Sequence, residues 1–473
     1  MTVYTLSSTL PEGSFVDWTQ TSLWAQGSAP SDPSAQVFFN QANSNFLVEI
    51  GQGETISIGS FQLQANHLLL DGALVSAGSV TVSPGAGIQI SGGTLAAQSL
   101  HLNGTPGIDL GLVGVGTVTV AGPIYNDSTI IGGSTGLSAL TALTLNTAYI
   151  DNLGLIDASV GTTLTVNVAL PSGLANFAYG TLTAGTYEAD AGGTLDLKTN
   201  GVIINDAATL ILDGAGTDII AGYNTSSGQY VPIQSSLSEI TAKGTLELDA
   251  ASYTTGGMLT VAGMLTLVGD SLFAAGTLYI TSGGEAYLSE AVPGFEQGLS
   301  ATHIINDGKI FADALGGGVA AISGAVTGSG TITLGPAVTT IDRFGHPTTT
   351  IATVDLRDAV SNGLAYTDGT GVFILDSPNA VTGAFQNFTA GDSIVLPGIA
   401  GSSVTSFSYA GSGSSGVLTV NEGGTTLHFN FTGSYTTADF ALSTDGASGG
   451  TAITGTSLIG VAQATAAHTS AHG

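Results

Sequence analysis

Apolar and polar positions alternate with period two along most of the chain. The runs "GSVTVSPGAGIQISGGTL" (78–95), "GTLELDA" (244–250), "GGMLTVAGMLTLVG" (256–269), "GTLYITSGGEAYL" (276–288) and "GSGTITLG" (328–335) are typical. Each alternating stretch is about four to six residues long and ends at glycine. Alternation places successive side chains on opposite faces of a strand, and glycine supplies the backbone freedom for the turn that follows. Helical periodicity is nearly absent. Short, evenly punctuated strands leave three architectures: a sandwich, a barrel or a solenoid.

Internal repetition separates them. Four segments share an Ile-rich strand, an Asn and a second short strand: "IYNDSTII" around Asn126, "YIDNLGLIDA" around Asn152, "VIINDAATLIL" around Asn205 and "HIINDGKIFADA" around Asn306. The intervals are 26, 53 and 101 residues, close to one, two and four multiples of a coil of about 25 residues. In a solenoid, equivalent residues stack, and stacked Asn amides can hydrogen-bond along the column. The fold expected is therefore all-β, a parallel β-helix (β-solenoid), with Asn126, Asn152, Asn205 and Asn306 as a structural column.

Four regions follow from changes along the sequence. Residues 1–50 hold both tryptophans, Trp18 and Trp24, and read as an N-terminal capping segment, because the first coil of a solenoid would otherwise present unpaired edges. Residues 51–335 are the solenoid. Residues 336–460 are a Phe-enriched β-rich module, either a continuation of the solenoid or a β-sandwich. Its "GVLTVNEGGTTLHFNFTG" (416–433) reads as a hairpin turning at Glu422-Gly423-Gly424. Residues 461–473 are small and polar and read as a flexible tail.

Composition narrows the function classes. Charged residues are only 8% of the chain, yet 34 acidic residues against 5 basic ones give a net charge of −29 and a pI near 4.1. Such a surface repels nucleic acid and anionic lipid, which need Lys and Arg. The mean hydropathy of +0.38 is too high for a disordered polymer. No apolar run approaches the ~18 residues of a membrane helix, so membrane insertion is not expected. The absence of cysteine excludes disulfides and thiolate metal sites. "MTVYTLSSTLPEGSF" lacks a basic segment followed by an apolar one, so no cleavable secretion signal is expected there.

The C-terminal region carries a resemblance. It contains Gly391-Asp392-x-Ile394-x-Leu396, then Gly416-x-Leu418-x-Val420, then Gly433-x-Tyr435 with Phe440, and closes on Asp445-Gly446 and Gly449-Gly450-Thr451. This stretch resembles the C-terminal module of large, repetitive surface proteins of alphaproteobacteria that leave the cell by type I secretion. The opening, with Trp18, Leu23-Trp24, Gly27 and Pro30, is similar to the start of such proteins. Some members carry a Hint domain, and the cysteine that would begin one is absent here. The resemblance covers about 65 residues well. It implies export without N-terminal cleavage and an extracellular, cell-surface location. "DGAGTDIIA" (213–221) further resembles the calcium-binding nonapeptide of RTX β-rolls, apart from Asp213 in the first Gly position. On that ground Asp213 and Asp218 are weak calcium candidates, set against a reading as a plain solvent turn.

Catalytic constellations are scarce. Parallel β-helical lyases and hydrolases need a cation as base or clamp and converging acids. Here the arginines are Arg343 and Arg357 and the lysines Lys198, Lys243 and Lys309. The single dense polar group is "IDRFGHP" (341–347), with Asp355, Arg357 and Asp358 nearby. It reads as a turn in which scarce arginines pair with aspartates. His468 and His472 stand four apart in the tail and read as filler. No catalytic residue and no cofactor beyond a candidate calcium are assigned. The function expected is a secreted, non-enzymatic structural protein of the bacterial surface, self-assembling into filaments, a sheath or a layer. Its partner would be its own copies, with cell-surface or matrix glycans second. The alternatives are a monomeric β-helical adhesin and a β-helical polysaccharide lyase or hydrolase.

Overall fold

The computed structural model describes residues 2–7, 15–39, 47–64, 66–133, 141–289, 296–341, 346–367, 370–445 and 450–456. The chain is nearly all β, with 62% strand and 4% helical residues, and forms a parallel β-solenoid of about 14 turns in all. It divides into two compact units, residues 1–237 and 238–473. The composition changes near residues 51 and 336 do not coincide with that division.

In the first unit the parallel ladder begins at the start of the chain. Val3–Thr5 pairs with Gln36–Phe39, and Phe15–Asp17 pairs with Leu47–Ile50. Thereafter the chain passes through three stacks of parallel strands, and a typical coil adds a rung to each. Along one inward row Val37, Phe61, Val80, Leu100, Ile124 and Ile150 follow in register. Along a second run Val48, Leu68, Ile88, Leu112, Ile130, Ile156, Tyr187 and Leu210, and along a third Val75, Leu95, Val118, Leu145, Val166 and Leu197. All of these are buried. The period-two pattern explains this arrangement, because every second side chain meets the same position one coil away and leaves water with it. Burial of each such side chain is worth roughly 1.5–3 kcal/mol.

An aromatic group closes the start of this core. The rings of Trp18 and Trp24 meet edge to face at 4.7 Å, and Trp18 lies 5.7 Å from Phe61. The Trp24 indole N–H donates to the Trp18 carbonyl at 2.9 Å. The Thr21–Leu23 turn and the residues after it fold over the first strand, with the Ala25 N–H donating to the Thr5 carbonyl.

The second unit repeats the plan. Leu246, Leu265, Ala286, Ile310, Ile332, Leu364 and Phe385 form one inward row. Tyr253, Phe273, Leu299, Ile322, Leu356 and Leu375 form a second, and Leu259, Leu278, Ile304 and Val326 a third. The parallel ladder continues to Ser393–Leu396, so the Phe-enriched region is solenoid continuation up to that strand. Direction then reverses. Ser393–Leu396 pairs antiparallel with Thr451–Gly455, which pairs antiparallel with Phe440–Thr444. Val404–Ser412, Ser415–Glu422 and Thr425–Thr432 form an antiparallel meander joined to the ladder through Ala384–Gln386. Its turn opposes Glu422 to Thr425 across Gly423 and Gly424, whose φ values of 50° and 105° favour glycine. Buried Phe373, Phe385, Phe388, Phe429, Phe431 and Phe440 pack beneath this meander. The tail lies outside the described residues.

Candidate functional site

The densest chemistry lies on the wall of the first unit, where three parallel strands follow one another: Leu155–Ala158, Thr186–Asp190 and Thr209–Asp213. Ile156, Tyr187 and Leu210 face the core. The alternation therefore turns Asp157 and Glu188 outward, in register, one above the other. Two residues along, Asp190 and Asp213 stand outward in register as well. One carboxylate oxygen each from Glu188, Asp190 and Asp213 lies within 4.8 Å of the others. Among the described residues this is the one group of three or more acidic or imidazole side chains close enough to share an ion.

The loop after Asp213 folds back on the preceding coil. Asp218 is buried, and its Oδ1 accepts the Gly192 N–H at 2.7 Å. Gly192 has φ 71°, and the Gly193 N–H donates to the Asp190 carbonyl. Asp218 thus holds the turn that follows Asp190. The two weak calcium candidates separate here: Asp213 joins the carboxylate group, and Asp218 braces the turn.

The electrostatics are one-sided. Asp157 is pushed up to about 8, first by burial and then by Asp190, Glu188 and Asp213, against a smaller opposing effect of the Ser159 hydroxyl. Burial, then Asp213 and Asp218, also raises Asp190, while the Val160 N–H works the other way. Burial raises Asp218 as well, in part offset by the Gly192 N–H.

Glu188, Asp190 and Asp157 were not singled out by the sequence. A signal was present, in that "LIDA", "TYEAD" and "TLILD" each alternate an inward apolar residue with an outward acid or apolar one. It is hidden by unequal coils, because Asp157 stacks on Glu188 31 residues on, whereas Asp190 stacks on Asp213 only 23 on.

The expected Asn column holds in part. Asn126 and Asn152 are fully buried, and the Asn126 amide donates to the Asn152 Oδ1 at 2.7 Å. Asn176, which the repeats did not mark, adds a rung by accepting the Asn152 N–H. Asn205 does not belong. It is half-buried and its amide donates to the Thr181 hydroxyl. Its neighbour Asp206 takes the inward position and accepts the Ala208 N–H. Asn306 lies in the second unit, buried, with its side-chain amide donating to the Thr331 carbonyl and its backbone carbonyl accepting from the Asn362 amide.

The arginine region is a hairpin. Val338–Ile341 and Pro347–Thr350 pair antiparallel, while Asp342 and Arg343 lie outside the described residues. Arg357 Nε meets Asp355 Oδ2 at 3.1 Å and lines a shallow groove with Ser252, Thr254, Leu272 and Ser300. His468 and His472 lie outside the described residues.

Two further surface features stand on the first unit. Thr94, Thr117, Thr144 and Thr165 stack in register, beside a second row of Ala96, Thr119, Asn146 and Asn167. The Asn167 amide donates to the Asn146 Oδ1 at 3.1 Å. Elsewhere the rings of His101, Tyr125 and Tyr149 succeed one another at 4.8 and 6.3 Å.

The class defined by these observations is a parallel β-solenoid with ladder-like outer faces and an acidic patch. No protein-family model, curated protein or solved structure matches the chain. Among the described residues no helix is long and apolar enough to cross a membrane.

Proposed function

We propose that this is a non-enzymatic structural protein of the bacterial exterior that assembles with its own copies into filaments, a sheath or a layer. The observation that carries the reading is the paired Thr/Asn ladder on the first unit. On a chain of charge −29, these four rungs hold no ionisable side chain, and the next rung of the Thr row is Asp196. Its short side chains repeat at the strand spacing of about 4.8 Å, which gives a flat face on which a second copy can pack without bringing carboxylates together. Export and the extracellular location rest on the resemblance of the C-terminal stretch.

The test is negative-stain electron microscopy of the purified chain at neutral pH, with and without millimolar calcium. Filaments or sheets are expected, and a Thr117→Lys/Thr144→Lys variant should dissolve them by placing charge on the contact face. Single particles under every condition would sink the assembly reading.

The aromatic row favours a second reading, a monomeric adhesin. Tyr125 is 39% exposed, and an aromatic face with a polar edge suits the apolar face of a sugar ring. A glycan-binding screen with Tyr125→Ala as control would test it. The enzymatic alternative rests on the groove at Arg357. Loss of a polysaccharide-cleaving activity in Arg357→Ala would establish it and displace the structural reading.

A further inference from the structure

Asp157 is an anomaly among the acidic residues. It is 7% exposed, and its Oδ1 has no hydrogen-bond partner. A buried carboxylate oxygen left without a donor is costly unless its charge is compensated or removed. The charged groups that act on Asp157 are Asp190, Glu188 and Asp213, all of the same sign. Those acting on Asp190 are Asp213 and Asp218. Like charges this close repel one another, and more strongly where burial lowers the effective dielectric constant. The backbone cannot relieve this by moving apart, because the strands that carry Asp157, Glu188, Asp190 and Asp213 are fixed in register by the parallel ladder.

We propose that this patch is a calcium site, with Glu188, Asp190 and Asp213 as ligands and the buried Asp157 side chain in register beside Glu188. The oxygens of the three ligands all lie within 4.8 Å of one another, close enough to share one hard cation. Three protein carboxylates with the rest of the shell left to water suit calcium, which accepts irregular coordination, better than magnesium, which demands near-ideal octahedral geometry. An all-carboxylate set without nitrogen or sulfur selects a hard cation over zinc or copper. Each ligand sits on a strand rather than in a loop. Asp218 adds rigidity by fixing the turn after Asp190 through the Gly192 N–H. The three ligands are half-buried, which leaves water to complete the shell. With three protein carboxylates, the dissociation constant belongs on the order of 10⁻⁴–10⁻³ M, where open surface modules fall.

The site does not depend on assembly, so its test uses unassembled full-length chain. The protein is dialysed against EDTA and then buffer at pH 7.5 with 150 mM sodium chloride, which screens diffuse attraction to the net charge. Calcium chloride and magnesium chloride are then titrated by calorimetry. One saturable calcium site is expected, with magnesium weaker by about tenfold or more. Asp190→Asn/Asp213→Asn keeps side-chain shape and relieves the repulsion, so the variant should fold, and its calcium affinity should fall by at least about tenfold. Asp157→Asn should weaken calcium binding by less. Equal calcium binding by the wild type and the double variant would overturn the site, as would the lack of saturable calcium binding by the wild type. Magnesium binding as tight as calcium would overturn the assignment of the ion.

Discussion

At the scale of single residues, the buried polar groups carry the sharpest expectations. Asp392 is fully buried and accepts hydrogen bonds from the Thr389 N–H at 2.7 Å, the Thr389 hydroxyl at 3.1 Å and the Gly371 N–H at 3.1 Å. Those donors favour the carboxylate, but burial outweighs them and pushes Asp392 up to about 6. The folded state therefore keeps a proton that the unfolded chain, near its usual 3.8, releases. Stability from this group is present at low pH and is lost as pH rises from about 4 through about 6. The change between pH 4.5 and 7 should be roughly 2 kcal/mol. Urea unfolding of wild type and Asp392→Asn at both pH values measures it: the wild-type advantage should shrink at pH 7, and a pH-independent difference would refute the assignment. Asn152 gives a second expectation. Asn152→Ala leaves the buried Asn126 amide without its Oδ1 partner and should cost about 2 kcal/mol in the same assay. The pair Asn126 and Asn152 was legible in the sequence because both occupy the same place in similar strands. Asn205 was misread because adjacent strand residues face opposite sides. Its neighbour Asp206 points inward, and a slip of one position exchanges core for surface.

At the scale of strands and coils, the alternation fixed what each strand buries, while glycine decides how closely coils stack. Gly114 shows how. Its φ is 134°, and a Cβ there would lie 1.9 Å from the Ile90 carbonyl oxygen of the neighbouring coil. Gly114→Ala must strain the backbone and push the two coils apart, so it should lower stability by about 2–4 kcal/mol, against less than about 1 kcal/mol for Gly85→Ala. Gly85 also has a positive φ, 78°, in the milder left-handed region, and nothing within 4 Å of its Cβ position. Equal midpoints for the two variants in thermal unfolding would show that contact between coils is not what selects glycine at 114. The strands at 244–250, 256–269 and 276–288 were legible because period-two alternation is local. The stacking of coils was only partly legible. Register depends on loop lengths between strands, and those vary from coil to coil, so a fixed period of about 25 residues aligned Asn126 with Asn152 but missed Asp157 beside Glu188. The antiparallel meander after Leu396 was visible only as its hairpin, because antiparallel and parallel strands with one buried face share the same alternation.

At the scale of the whole molecule, charge governs how copies meet. With 34 acidic and 5 basic residues, each chain repels its copies at neutral pH, and the repulsion fades as pH approaches the pI near 4.1. The faces that remain are uncharged at any pH in this range, among them the ladder of Thr94, Thr117, Thr144 and Thr165. Attraction between such faces is short-ranged and nearly constant with pH, whereas the opposing repulsion scales with the square of the net charge. Lowering pH from 7 to 4 should therefore increase particle size in light scattering, and the rise should begin at lower pH when salt is scarce, because unscreened repulsion reaches further. Added salt at pH 7 should imitate part of the effect. The Thr117→Lys/Thr144→Lys variant separates specific packing from general precipitation. If the ladder is the contact, the variant stays small at pH 5, where the carboxylates of the wild type are partly neutralised, even though its lower net negative charge should favour association. If both proteins grow alike, association comes from charge loss alone and the ladder is not the contact face.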